Sequence, residues 1–162
     1  MIRRIIGIDP GVHTGFAMTV RDTENLSWHL AEKGTEWNLE TFSFWGAVKR
    51  LAAIQLEHPD QLPKVYIEDP NINKPTFHRK LGGESMRSYQ ARMHKISQNV
   101  GMNKRDAQLL IDWLSMRGWD YYPVPPRKAA KVNAEYFKKL TGYSKRSSQH
   151  ARDAAMLILG RL

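Results

Sequence analysis

The stretch Ile5-Ile6-Gly7-Ile8-Asp9-Pro10-Gly11 constrains this chain most. A short β-branched run reads as a buried strand. It ends in a single acid and then breaks in a Pro-Gly turn. A lone carboxylate at the end of a buried strand is costly unless something pairs with it. Gly11 and Gly15 let the backbone turn and approach whatever Asp9 holds, so both are expected to leave room for a bound phosphate. Two readings of Asp9 stay open on local grounds: a ligand for a metal ion that carries a phosphate, or an acid that caps a turn.

The other residues bear on that choice. With 162 residues, a chain can bury roughly 70% of its unfolded surface in one domain. One domain spanning 1–162 is expected, since neither a repeat nor a linker interrupts the sequence. No apolar run is long enough to span a bilayer, and Arg3-Arg4 lead straight into a strand rather than a signal peptide. The absence of cysteine excludes a disulfide framework and any thiolate zinc site. A cytoplasmic protein without a membrane partner is expected.

Charge narrows the partner. The net charge is +9 and the isoelectric point about 9.9, which favours a polyanion. Pro70–Arg105 holds eight Lys/Arg and one acid, Glu84, and Arg127–Arg146 holds seven and one acid, Glu135. Asp9, Glu68, Asp69 and Asp153 lie outside these blocks. Basic walls around an acidic centre suit a metal-dependent nuclease; two solvated helical faces are the plainer explanation.

Periodicity predicts strands at Arg3–Asp9, Thr14–Val20 and Leu26–Ala31, joined by loops too short for crossovers and therefore antiparallel. Asn38 is expected to cap a helix over Leu39–Leu56, on the stripe Leu39, Phe42, Trp45, Val48 and Ala52. A fourth strand, Lys64–Glu68, again runs apolar into an acid. A loop over Asn71–Gly83 follows, then helices at Glu84–Val100 and Asn103–Arg117 and a short fifth strand at Trp119–Val124. Helices at Arg127–Leu140 and Gln149–Leu159 complete the order. The pattern predicts an α/β fold, a mixed five-stranded sheet with helices on both faces.

In such a sheet, Asp9 and Glu68 sit at related ends of neighbouring strands, where two carboxylates can share a divalent cation. Asp69 competes with Glu68. Alternation lets only one of them face Asp9, and Asp69-Pro70 reads better as the turn. His150 and Asp153, spaced i, i+3, share a helix face. Ala151, Ala154 and Ala155 would let that helix lie close to the sheet, with Ser147 or Ser148 as its cap. Locally, a surface histidine and a solvent-facing acid paired with Arg152 or Lys145 remain alternatives.

The segments IGIDPGVHTGFA (Ile6–Ala17), VYIEDP (Val65–Pro70) and SQHARDAAMLIL (Ser148–Leu159) together resemble the RuvC family of Holliday-junction resolvases, within the RNase H-like superfamily. Their order and spacing cover nearly the whole chain, and the last segment is similar to those of phage-borne members. The first segment alone is shared with actin-like ATPases and YqgF-type nucleases. An ATPase of that kind needs two such domains.

The resemblance implies an RNase H-like fold and a metal site of Asp9, Glu68, His150 and Asp153, loaded with Mg²⁺ or Mn²⁺. Many members carry Asp where this chain has His150. A neutral imidazole is softer and less negative, so it would shift preference toward manganese or instead handle a proton. The implied reaction is two-metal hydrolysis of a DNA phosphodiester, leaving 5′-phosphate and 3′-hydroxyl ends. The implied substrate is four-way or other branched DNA in recombination and repair, and the implied assembly is a homodimer. The resemblance places the subunit contact within Glu84–Arg117, where Met86, Met93, Met102 and Trp113 are candidates; a core stripe is the other reading.

Lys74, Phe77, Arg79 and Lys80 follow Glu68 in sequence and are expected near the cut site. Phe77 either stacks on an unpaired base or packs back on the protein. Lys128, ahead of Lys131, is the first choice for the family's DNA-contacting base after the fifth strand. A YqgF-like RNA-processing nuclease and a catalytically idle nucleic-acid-binding module are the alternative functions.

Overall fold

The computed structural model describes residues 2–22, 36–73, 79–126 and 130–161. Along the chain these form β1 (Ile2–Asp9), β2 (Thr14–Asp22), β3 (Glu36–Phe42), α1 (Phe44–Glu57) and β4 (Lys64–Glu68). Then come α2 (Met86–Met116), β5 (Tyr121–Val124), α3 (Ala134–Thr141) and α4 (Gln149–Ile158). The strands make one sheet in the order β3-β2-β1-β4-β5. β1 pairs antiparallel with β2, and β2 with β3, while β4 runs parallel to both β1 and β5. The expected α/β architecture with a mixed five-stranded sheet is present. Among the described residues no helix is long and apolar enough to cross a membrane.

Strand alternation divides the core between two faces. Ile6, Ile8, Phe16, Val65 and Ile67 pack with Val48, Leu51 and Ile54 of α1 and Leu110 and Leu114 of α2. Ile5 and Ala17 face the other way, onto Phe137 of α3 and Ala154, Ala155, Leu157 and Ile158 of α4. Helices therefore cover both faces, and each fully buried Leu or Ile side chain contributes about 1.5–3 kcal/mol.

Several element boundaries differ from expectation. The strand expected at Leu26–Ala31 lies outside the described residues, and the third strand of the sheet is β3, at Glu36–Phe42. Its residues include the start of the predicted helix. Leu39 and Phe42 fit a helical stripe, but the open edge of β2 captures this segment, pairing Thr14 with Phe42 through Val20 with Glu36. Trp37 and Leu39 then alternate onto the α4 face while Phe42 meets Phe16 on the other. The helix starts instead at Phe44, capped by Ser43, whose Oγ accepts the Gly46 amide at 3.2 Å.

The two helices expected over 84–117 are one continuous helix, α2, of 31 residues and about 46 Å. Gly101 does not break it, since the backbone hydrogen-bond ladder continues through it. The helix expected from Arg127 begins only at Ala134, where Asn133 accepts the Tyr136 amide at 2.8 Å; residues 127–129 lie outside the described set.

Candidate functional site

The parallel register of β1 and β4 pairs Ile8 with Ile67, so Asp9 and Glu68 leave the sheet at the same end. Helix α4 closes this end from the other side. Its approach is set by two glycines. A Cβ on Gly7 would sit 2.1 Å from the Ala154 carbonyl oxygen, and one on Gly15 would sit 2.0 Å from that of His150. No side chain fits at either position. Ala151, Ala154 and Ala155 complete the close contact and are buried. The space at Gly15 is therefore taken by the backbone of α4, which corrects the expectation that it is room for a phosphate. Gly11 faces the Asn103 side chain, with a Cβ position 3.2 Å from Oδ1.

The docked helix brings His150 Nδ1 to 3.0 Å from Asp9 Oδ2. With Asp9 ionised, Nδ1–H donates and Nε2 is left as the acceptor. Asp153, on the same helix face, accepts from Gln149 Nε2 at 2.7 Å and lies 3.4 Å from Lys131 Nζ. Ser148 caps α4, accepting the Ala151 amide at 3.0 Å, and its hydroxyl meets that of Thr41 on β3 at 2.5 Å. Arg152 is buried and binds the helix to what precedes it. It donates from Nε to the Val132 carbonyl (3.1 Å), from Nη1 to that of Ser147 (2.6 Å), and from Nη2 to Gln149 Oε1 (2.9 Å). The alternative in which Asp153 pairs with Arg152 is therefore not what the structure shows: the Arg152 donors go to Val132, Ser147 and Gln149, and the cation beside Asp153 is Lys131.

Asp9, Glu68, His150 and Asp153 all line one cavity of about 480 Å³, together with Lys131. Asp69 does not. Its carboxylate accepts both the backbone amide (2.9 Å) and the side-chain amide (2.8 Å) of Asn71, as a turn-forming acid does. Burial pushes the Asp9 carboxyl above its ordinary range; the His150 hydrogen bond opposes this and the charge of Asp153 adds to it. Asp9 and Asp153 thus repel each other across the cavity.

Among the described residues, no group of three or more His, Asp or Glu side chains converges as a ready-made cation cage. The donors line the cavity instead, with Asp9 engaged by His150 and Asp153 by Gln149 and Lys131. Three carboxylates and one imidazole are a mixed oxygen and nitrogen donor set that fits a divalent cation able to accept both.

The other expected contact residues are distributed differently. Lys131 lines the cavity. Arg79 and Lys80 are exposed and do not, although the Arg79 carbonyl accepts from Arg92 of α2 at 3.1 Å. Lys74, Phe77 and Lys128 lie outside the described residues. Trp113 packs against the core beside Trp119, ring centroids 6.4 Å apart, so it is not part of an open subunit surface.

Sequence reasoning missed Asn99 and Asn103 of α2 and His13 of the β1–β2 turn, and it offered Met102 to a subunit contact; all four line the cavity. The available signal was three uncharged residues at i, i+3 and i+4 inside a basic run. No protein-family model matches the chain, and no curated protein matches it significantly. Fold and site therefore define an α/β protein with an acidic, histidine-containing cavity at the end of its two central parallel strands.

Proposed function

We propose that this chain is a RuvC-like endonuclease with an RNase H-like fold, and that it hydrolyses phosphodiester bonds in four-way or otherwise branched DNA. The observation that carries this reading is the meeting of Asp9, Glu68, His150 and Asp153 in one cavity from β1, β4 and α4. The sheet order, an antiparallel meander continued by two parallel strands, supports the fold assignment. The net charge of +9 supports a polyanionic substrate.

In this reading, Asp9, Glu68, Asp153 and His150 would hold Mg²⁺ or Mn²⁺. Such cations lower the pKa of water and offset charge gathering on the phosphate. The chain's own residues do the rest. His150 holds the Asp9 carboxylate through Nδ1, which leaves the Nε2 lone pair as the donor it would offer the cation. Lys131, two-thirds exposed, is placed to meet a phosphate entering the cavity. A homodimer that cuts two strands is proposed with it. The exposed Met86 and Val100 of α2 give that assembly an apolar surface, which sedimentation at micromolar concentration tests.

The decisive assay is cleavage of a labelled synthetic four-way junction beside duplex, flap and structured RNA, with magnesium and manganese in parallel. Junction cleavage is expected, and Asp9→Asn should abolish it while preserving binding. Full activity in Asp9→Asn overturns the site, and cleavage confined to RNA replaces the substrate assignment with the RNA-processing alternative.

A further inference from the structure

Helix α2 continues far beyond the core it helps to build. Its buried residues are Ala107, Leu110, Ile111 and Leu114, all in the C-terminal third. The preceding turns leave that core, yet Asn99, Met102 and Asn103 line the same cavity as the acids. Their i, i+3, i+4 spacing places them on one helix face.

Two contacts fix this wall. The Asn103 side chain lies against Gly11, in the turn that directly follows Asp9. Asn71 Nδ2 donates to the Lys104 carbonyl at 3.2 Å and to Asp69 Oδ1 at 2.8 Å, which ties α2 to the turn that directly follows Glu68. The helix is thus registered against both acid-bearing strands.

The composition of the wall is unusual for its setting. Lys95, Lys104 and Arg105 lie on the same helix but do not line the cavity; the residues that do are two primary amides and a thioether. A lysine facing the acids pairs with them, as Lys131 does with Asp153 at 3.4 Å. An amide donates hydrogen bonds to a phosphate or sugar oxygen without neutralising the carboxylates opposite.

We propose that Asn99 and Asn103 are strand-positioning residues. Their amides hydrogen-bond the sugar-phosphate backbone of the DNA strand laid across the acids, and Met102 supports its deoxyribose. This rests on the nuclease reading above.

The test uses the full chain. Asn103→Ala and Asn103→Asp, with the same pair at Asn99, are compared in two measurements. One is anisotropy of a labelled four-way junction over a salt series, in the Asp9→Asn background. The other is steady-state cleavage with the wild-type acid. The alanine variants should lose about tenfold in kcat/KM. The aspartates, equal in shape but donor-free and charged, should lose about a hundredfold and bind the junction more weakly. The salt slope of the alanine variants should match the parent, because no cation has been removed; loss of a phosphate-bound lysine would lower it by about one.

Aspartate variants that bind and cleave like wild type overturn the inference alone. Equal losses for alanine and aspartate, with matching drops in melting temperature, also overturn it in favour of a packing role. A parent chain that binds no junction overturns both the inference and the nuclease reading.

Discussion

Helices α4 and α2 both furnish the cavity, but they are held in opposite ways. The ten-residue α4 lies against the sheet with its backbone where glycine side chains would otherwise be, and its buried Arg152 ties it to Val132 and Ser147. Over its first two-thirds, α2 stands on caps, a salt bridge and the Asn71 tie, with its buried residues confined to the end. The difference separates two tasks. Charged groups that must share one small space need a support that does not move, and close backbone packing provides it. The cavity residues of α2 instead ride on a helix that reaches out from the core.

The contrast is sharpest at glycine. Gly15→Ala should be the most damaging change, costing about 3 kcal/mol or more, because the new Cβ meets backbone rather than a movable side chain. Chemical denaturation would measure the loss, and a near-neutral result would mean that α4 is not seated as described. Next comes Arg152→Met. It strips donors from the part-buried carbonyls of Val132 and Ser147, with an expected cost of about 1–2 kcal/mol by the same measurement. Gly101→Ala should go the other way. Nothing lies within 4 Å of its Cβ position, so better helix propensity should stabilise α2 by about 0.5–1 kcal/mol. A loss there would show that the protruding half of α2 is packed against something.

The smallest expected effect is on pH. At the start of α2, Glu84 accepts from Arg92 Nε and Nη2, each at 2.9 Å, and from the Leu81 amide at 3.0 Å. The Arg92 hydrogen bonds, helped by the Leu81 amide, bring its carboxyl down to about 2 from 4.5. A depressed acid stabilises the fold above its unfolded pKa. The clamp should therefore act fully above pH 4.5 and fade as pH falls toward 2, read by titration of Glu84 in nuclear magnetic resonance. Asp9 has the opposite sign. Its raised carboxyl favours the fold at low pH, and that contribution is lost as pH rises through the raised value. A Glu84 titration near 4.5 would remove the clamp from the comparison.

Local pattern carried much of this molecule. β1 and β4 are short apolar runs that end in acids, and burial of such runs needs little context. The facing of His150 and Asp153 follows from helical spacing. Element boundaries were less legible where two periods compete. Leu39 to Phe42 satisfies both a strand and a helix, and pairing with the edge of β2 chooses between them. The place of Asn99 and Asn103 in the cavity lining was not legible at all, because an amide on a basic helix carries no local sign of what it faces.

The amino-acid sequence by itself determined the acids, the histidine, their order and the strands and helix that carry them, since these depend on neighbours a few residues away. Tertiary structure alone decided that the four line one cavity, that Gly15 yields its space to α4 rather than to a phosphate, and that α2 adds uncharged residues to the same lining. These depend on the distance between backbones remote in sequence, which packing fixes and local composition does not encode.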